Sequence, residues 1–206
     1  MLRNSLLIIL LCTSIISHAQ SDDLIGGRCE GCEATFENKV PFDKLVHELK
    51  LPSNGEKGST LTVTGRVYKR DGKTPAPDVI LYVYHTDQQG KYTANTGANG
   101  WEKRHGSIRG WLKTNVAGEY IIHTLKPAPY PGAHIPAHIH IFLKEPGKNP
   151  YWVEEYQFEG DPFLKPEDIN KSNPRGGQGI LKTTLKNGEL IASRDIVLGL
   201  NIPNYK

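Results

Sequence analysis

Pro136-Ala137-His138-Ile139-His140-Ile141-Phe142-Leu143 is the stretch on which the fold turns. From Ala137 to Leu143 it alternates with a period of two, which is the mark of a β-strand with two unlike faces. His138 and His140 project side by side on one face, and Ile139 and Ile141 go to the other. Two imidazoles so placed can share one metal ion, with zinc, copper, iron and nickel all suited to them. Two polar residues on an exposed strand face would read the same way. The pair by itself leaves both readings open.

The same period recurs on either side. Residues 60–68 alternate, residues 79–84 form a more fully apolar strand, and shorter strands follow at 110–113 and 118–124. Residues 180–185 and 190–198 form a closing hairpin around Asn187-Gly188, a pair suited to a tight turn. Residues 88–108 and 159–179 show no clear period and read as long loops, a size often tied to function. Gly and Pro number 21 and 14 among 206 residues, in keeping with frequent turns. Seven or so short strands without a long amphipathic helix predict an all-β sandwich or barrel. Ahead of them, Phe42, Leu45, Val46 and Leu49 stand at helical spacing, which predicts a short helix over 42–50.

The N-terminus carries Arg3, an apolar run from Leu6 to Ile16, and Ser17-His18-Ala19 with small residues flanking His18. This is the pattern of a secretory signal cut after Ala19, and the run is too short for a mature membrane span. The expected organisation is therefore a signal peptide at 1–19, an N-terminal extension at 20–58 and a β-sandwich domain at 59–206. An exported chain, periplasmic or secreted, is expected, with no membrane attachment after signal removal. Cys12 lies in the run behind the bulky Leu11, which disfavours a lipoprotein. Cleavage leaves Cys29 and Cys32. In an exported chain a local disulfide is the economical reading, ahead of a half zinc site or free thiols. Net charge is only +3 and no basic block stands out, so no nucleic-acid partner is expected. Oligomeric state stays open, a homo-oligomer included.

Two tyrosines upstream of the histidine strand are candidates for the same site. Tyr130 lies eight residues before His138 behind Lys126-Pro127-Ala128-Pro129, and Tyr92 opens the first long loop. With nine tyrosines in the chain, spacing alone does not select these two. The stretch from Arg109 to Tyr130 (RGWLKTNVAGEYIIHTLKPAPY) resembles the core signature of intradiol ring-cleavage dioxygenases, the protocatechuate 3,4-dioxygenase type above all. So do Pro136-Ala137-His138-Ile139-His140 and Phe158-Glu159-Gly160-Asp161-Pro162, and the likeness runs over about residues 60–198.

That resemblance implies a prealbumin-like β-sandwich and a non-haem Fe(III) site with Tyr92, Tyr130, His138 and His140 as ligands, completed by water or hydroxide. Phenolates are hard anionic donors suited to Fe(III), and the ion lowers their pKa far below the usual value near 10. It further implies a catechol-type substrate, bound as a chelating dianion and opened by O2 between its two hydroxyl-bearing carbons to a muconate-type diacid. Tyr130 would leave the iron when substrate binds and take one of its protons.

Two residues depart from the family pattern. Ile135 stands where an arginine commonly steadies charge on the substrate, and Glu155 stands where glutamine is common. A carboxylate there repels a catecholate unless it is protonated or paired. Arg109, taken as a catalytic residue, is the candidate replacement for the missing cation, with Arg104 and Arg175 behind it. His134 and His105 read first as surface residues, and Trp101 and Trp111 as pocket or core. Two rival readings remain. A cupin would take His138, His140 and Glu145 as ligands, although no glycine follows Glu145 and no second histidine motif lies downstream. A sandwich serving as a binding or adhesion module would leave both histidines dispensable.

Overall fold

A computed structural model describes residues 24–206 of the chain, so the expected signal peptide lies outside the described residues. The strands are β1 Glu48–Lys50, β2 Thr60–Tyr68, β3 Ile80–His85, β4 Arg109–Lys113, β5 Glu119–Leu125, β6 His138–Lys144, β7 Tyr151–Trp152, β8 Tyr156–Phe158, β9 Ile180–Leu181, β10 Thr184–Lys186, β11 Glu189–Ser193 and β12 Ile196–Val197. They build two sheets of six. One runs β1-β5-β2-β11-β10 with β12 also on β2, and the other runs β4-β3-β6-β8-β9 with β7 also on β6.

The inward faces follow from the alternation. Leu61, Val63, Tyr120 and Ile122 from the first sheet meet Leu81, Val83, Leu112, Ile139, Ile141 and Leu143 from the second, each almost wholly buried. Burial of each such side chain is worth about 1.5–3 kcal/mol before entropy is counted. This is the expected β-sandwich.

Several local expectations need correction. Residues 42–50 do not form a helix. Pro41 leads into a single 3-10 turn at Phe42–Lys44, and β1 then adds in parallel to the edge of β5. The closing hairpin is present, with Asn187 and Gly188 both at positive φ (51° and 84°) between β10 and β11. The residues around it divide further. β9 crosses to the other sheet beside β8, and after Ser193 the chain steps past Arg194 before β12 rejoins β2. The two long loops hold short helices, α1 at Glu102–His105 and α2 at Pro166–Ile169.

The outer face of the second sheet is covered as well. Cys29 and Cys32 are joined in a disulfide. The 3-10 turn that follows, Cys32–Phe36, lays Cys32 and Ala34 on Tyr82, Tyr84 and Phe142, with Trp101, Trp111 and Trp152 around them. This second, smaller core stands directly beside the histidine pair.

Candidate metal centre

β6 carries His138, His140 and Phe142 on the outer face of its sheet, opposite the buried Ile139 and Ile141. The neighbouring strands fix what lies beside them. On one side β3 pairs Tyr84 with His140 and Tyr82 with Phe142. On the other side β8 pairs Gln157 with His138 and Tyr156 with Ile139, and one further step of that register brings Glu155 opposite His140.

Tyr92 and Tyr130 reach the pair from two loops that are bound to one another. Asp87 accepts from the backbone N–H of Gln89 and of Lys91, both at 2.9 Å, and from the Thr93 hydroxyl, which shapes the turn that carries Tyr92. Thr86 donates to the Ala128 carbonyl at 2.7 Å and Gln88 to the Lys126 carbonyl at 2.8 Å. Gly90, at φ 71°, lies so close to Pro129 that an added Cβ would overlap its carbonyl oxygen. Only glycine lets these two loops approach in this conformation.

Four donor atoms converge as a result. Tyr92 Oη lies 2.6 Å from Tyr130 Oη and 2.7 Å from His140 Nε2, and Tyr130 Oη lies 3.0 Å from His138 Nε2. The tautomers follow from what stands behind each ring. His138 Nδ1 is 2.8 Å from the Pro136 carbonyl, which only accepts, so Nδ1 carries the proton. His140 Nδ1 is 2.7 Å from Glu155 Oε1, and this N–H donates to the carboxylate. Both Nε2 lone pairs therefore face the phenols, and two hydroxyl protons are shared among three close contacts. Burial pushes both phenols above the ordinary tyrosine pKa, and burial also lowers His138. Both phenols therefore keep their protons until a cation enters the cluster. A cation entering it meets two imidazole lone pairs and two oxygens whose protons it can displace, and phenolate oxygens with imidazoles form a donor set that fits ferric iron.

The Glu155 carboxylate accepts from His140 Nδ1–H. Burial acts to raise its carboxyl, and the His140 hydrogen bond with the adjacent imidazoles outweighs this, leaving it below the usual range. Tyr84 supports the other face of His140. It lies flat between the His140 ring, 4.4 Å away, and the His105 ring, 3.9 Å away. His105 is accordingly buried, not a surface residue, with Nδ1 2.9 Å from Tyr82 Oη, and burial lowers it to about 4. The sequence held no local signal for this stack, which arises from cross-strand register.

The remaining candidates stand elsewhere. The Arg109 guanidinium lies 2.8 Å from Glu37 Oε2 and 3.9 Å from Glu102, over the Trp111 ring, and makes no hydrogen bond to the four donors. Its position ties the N-terminal segment to β4. Arg104 pairs with Glu30, and the Arg175 guanidinium covers Trp152 at 3.6 Å. His134 packs on Phe163. Ile135 is 44% exposed. Glu145, the cupin ligand, is five residues beyond His140, which on a strand is roughly 16 Å. It accepts from Tyr151 at 2.6 Å and Tyr205 at 2.8 Å, so the cupin reading fails on distance and on occupied lone pairs. A cavity of about 400 Å³ flanks the centre, walled by Tyr84, His140, Phe142, Trp152, Glu155 and Gln157.

Residues 34–199 match the family described as Dioxygenase, well over half of the chain. The chain belongs to the intradiol ring-cleavage dioxygenase family. Among curated proteins, it is 26% identical over 133 residues to catechol 1,2-dioxygenase 2 of Acinetobacter lwoffii, covering 56% of this chain and 46% of that protein. It is 28% identical over 125 residues to chlorocatechol 1,2-dioxygenase of Pseudomonas sp. strain P51, covering 50% and 45%. The chain thus spans less than half the length of these intradiol relatives. The dioxygenase domain of a dioxygenase carbohydrate-binding protein fusion from Streptomyces sp. SirexAA-E shares the fold, with a TM-score of 0.55, 22% identity, and coverage of 78% of this chain and 94% of that one. Catechol 1,2-dioxygenase from Acinetobacter sp. ADP1 does so with a TM-score of 0.57, 20% identity, and coverage of 78% and 60%.

Proposed function

We propose that this intradiol family member is a non-haem Fe(III) enzyme that opens a catechol-type ring between its two hydroxyl-bearing carbons. One O2 is consumed per ring, and both oxygen atoms enter the resulting muconate-type diacid. The observation that carries this reading is the convergence of Tyr92, Tyr130, His138 and His140 on one point, with both Nε2 lone pairs turned inward. The curated relatives, named as catechol and chlorocatechol dioxygenases, support the same substrate class.

Ferric iron held there supplies a Lewis acid that favours the ionised catechol and a centre able to accept an electron from it. The protein's own residues do the rest. His138 and His140 are held in register, one by the Pro136 carbonyl and the other by Glu155 and the Tyr84 ring. Tyr130, half-buried on a loop whose next residues are exposed, is the phenolate free to swing away and accept a substrate proton at Oη. Tyr92 is held by the Asp87 turn and stays. The reading extends to the ends of the chain: residues 1–19 direct export, and the substrate is met outside the cytoplasm.

Oxygen uptake with a panel of catechols tests the activity. Iron-loaded protein is expected to consume one O2 per catechol and to place two labelled atoms in the diacid when supplied with ¹⁸O2. Protein that holds one iron per chain and turns over no catechol would refute it.

A further inference from the structure

We propose that Glu155 is a positioning residue for His140, which fixes the Nδ1–H tautomer and passes negative charge through the imidazole to a cation on Nε2. The inference rests on the iron reading above and deepens it. Glu155 Oε1 lies 2.7 Å from His140 Nδ1, and the opposite nitrogen of the same ring lies 2.7 Å from Tyr92 Oη. A carboxylate behind a ligating histidine orients the ring and raises its basicity.

The placement of Glu155 is built into the backbone. It follows from the β6–β8 register, in which Gln157 opposes His138 and Tyr156 opposes Ile139. The segment is fastened from behind, since Glu154 N–H donates to the Arg175 carbonyl at 3.0 Å and Gln157 N–H to the Gly179 carbonyl at 3.1 Å. Gly179 packs against the Glu155 carbonyl so closely that a Cβ would overlap it. Lys171 pairs with Glu154 at 2.8 Å, and the Glu155 carboxylate meets His140 Nδ1 at 2.7 Å.

Direct ligation by Glu155 is the competing role. The ligand atoms of His138, His140 and Glu155 lie within 4.8 Å of one another, the one such group among the described residues. The two nitrogens of one imidazole diverge, however. An ion shared with Tyr92, Tyr130 and His138 must sit at His140 Nε2, and Glu155 stands at Nδ1. The carboxylate backs the ligand; it does not join the shell.

Glu155→Gln keeps the shape and removes the charge. The variant is expected to keep one iron per chain and to bind it about 10–100-fold more weakly in chelator competition. Its tyrosinate-to-iron band should move to longer wavelength and its Fe(III)/Fe(II) potential should rise, because the iron becomes more electron-poor. A purely structural role would move neither. A variant with unchanged affinity, band and potential overturns this inference and leaves the iron reading standing. Retention of the band in Tyr92→Phe, with its loss in Glu155→Gln, places the carboxylate in the shell and overturns it too. A wild type that takes up no iron overturns both. Should the variant fail to fold, ¹⁵N–¹H spectra of the wild type loaded with gallium(III) decide. A protonated Nδ1 on His140 is expected, and an unprotonated Nδ1 refutes the assignment.

Discussion

Gly90→Ala perturbs the site without touching any of the four donors. Gly90 is buried at φ 71°, where an alanine costs about 1–2 kcal/mol over glycine. Its new Cβ would overlap the Pro129 carbonyl oxygen and lie 3.0 Å from Pro131 Cδ. Overpacking of this kind typically adds about 1–3 kcal/mol, so a total loss of about 2–5 kcal/mol is expected. The strain is relieved only if the loop bearing Tyr92 retreats from the segment bearing Tyr130. Those two hydroxyls are 2.6 Å apart, so a retreat of about 1 Å breaks their contact and splits the donor set. If about 2 kcal/mol of the strain must be restored when a metal draws the loops together, iron affinity falls roughly 30-fold. Denaturant unfolding measures the first quantity and chelator competition the second. An alanine variant of unchanged stability would refute the steric reasoning. A destabilised variant with wild-type iron affinity would refute the coupling of the loops to the site.

Three further outcomes follow from the same geometry. Glu145→Ala leaves the Tyr151 and Tyr205 hydroxyls without their acceptor and should cost about 2–4 kcal/mol in unfolding experiments, while iron per chain is unchanged. Arg109→Met removes the partner of Glu37 and should cost about 1–3 kcal/mol with kcat within threefold of wild type; lost turnover at unchanged stability would restore Arg109 to catalysis. The pH dependence of iron loading has a definite sign. Burial raises both phenols above their ordinary value near 10, so both are protonated from about pH 6 to 9 and both protons leave on binding. Burial lowers His138, which disfavours its protonated form in that window. Apparent affinity should therefore climb with pH by up to about two decades per unit, as read against a chelator of known pH dependence. A flat or falling profile would contradict tyrosinate ligation.

Long alternating runs made much of the sandwich readable in advance. β2 falls on the expected Thr60–Tyr68, and β6 falls within a residue of its expected bounds. β7 and β8 escaped because two or three residues are too few to show a period, and both are held by neighbours far away in the chain. The apolar spacing over residues 42–50 fits a helix for barely two turns, and the open edge of β5 captured its last residues instead. At the site, the chain order of tyrosines and histidines was legible through a family resemblance and not through spacing. The partners that orient them were hidden for a physical reason. Tyr84 meets His140 through the β3–β6 register, and Glu155 does so through the β6–β8 register, which no local pattern reveals. Read along the sequence, Glu155 was only a departure that threatened substrate binding. In three dimensions its carboxylate accepts a hydrogen bond from His140.

The central claim, a ferric centre with two tyrosinates and two histidines, is tested most directly by one absorption spectrum. Purified protein is loaded with iron, the iron is quantified in the same sample, and the visible region is recorded for wild type, Tyr92→Phe and Tyr130→Phe. A broad charge-transfer band at about one iron per chain, altered or lost in each variant, is the predicted result. A protein that stays colourless after iron loading, or a band indifferent to both tyrosines, would contradict the account.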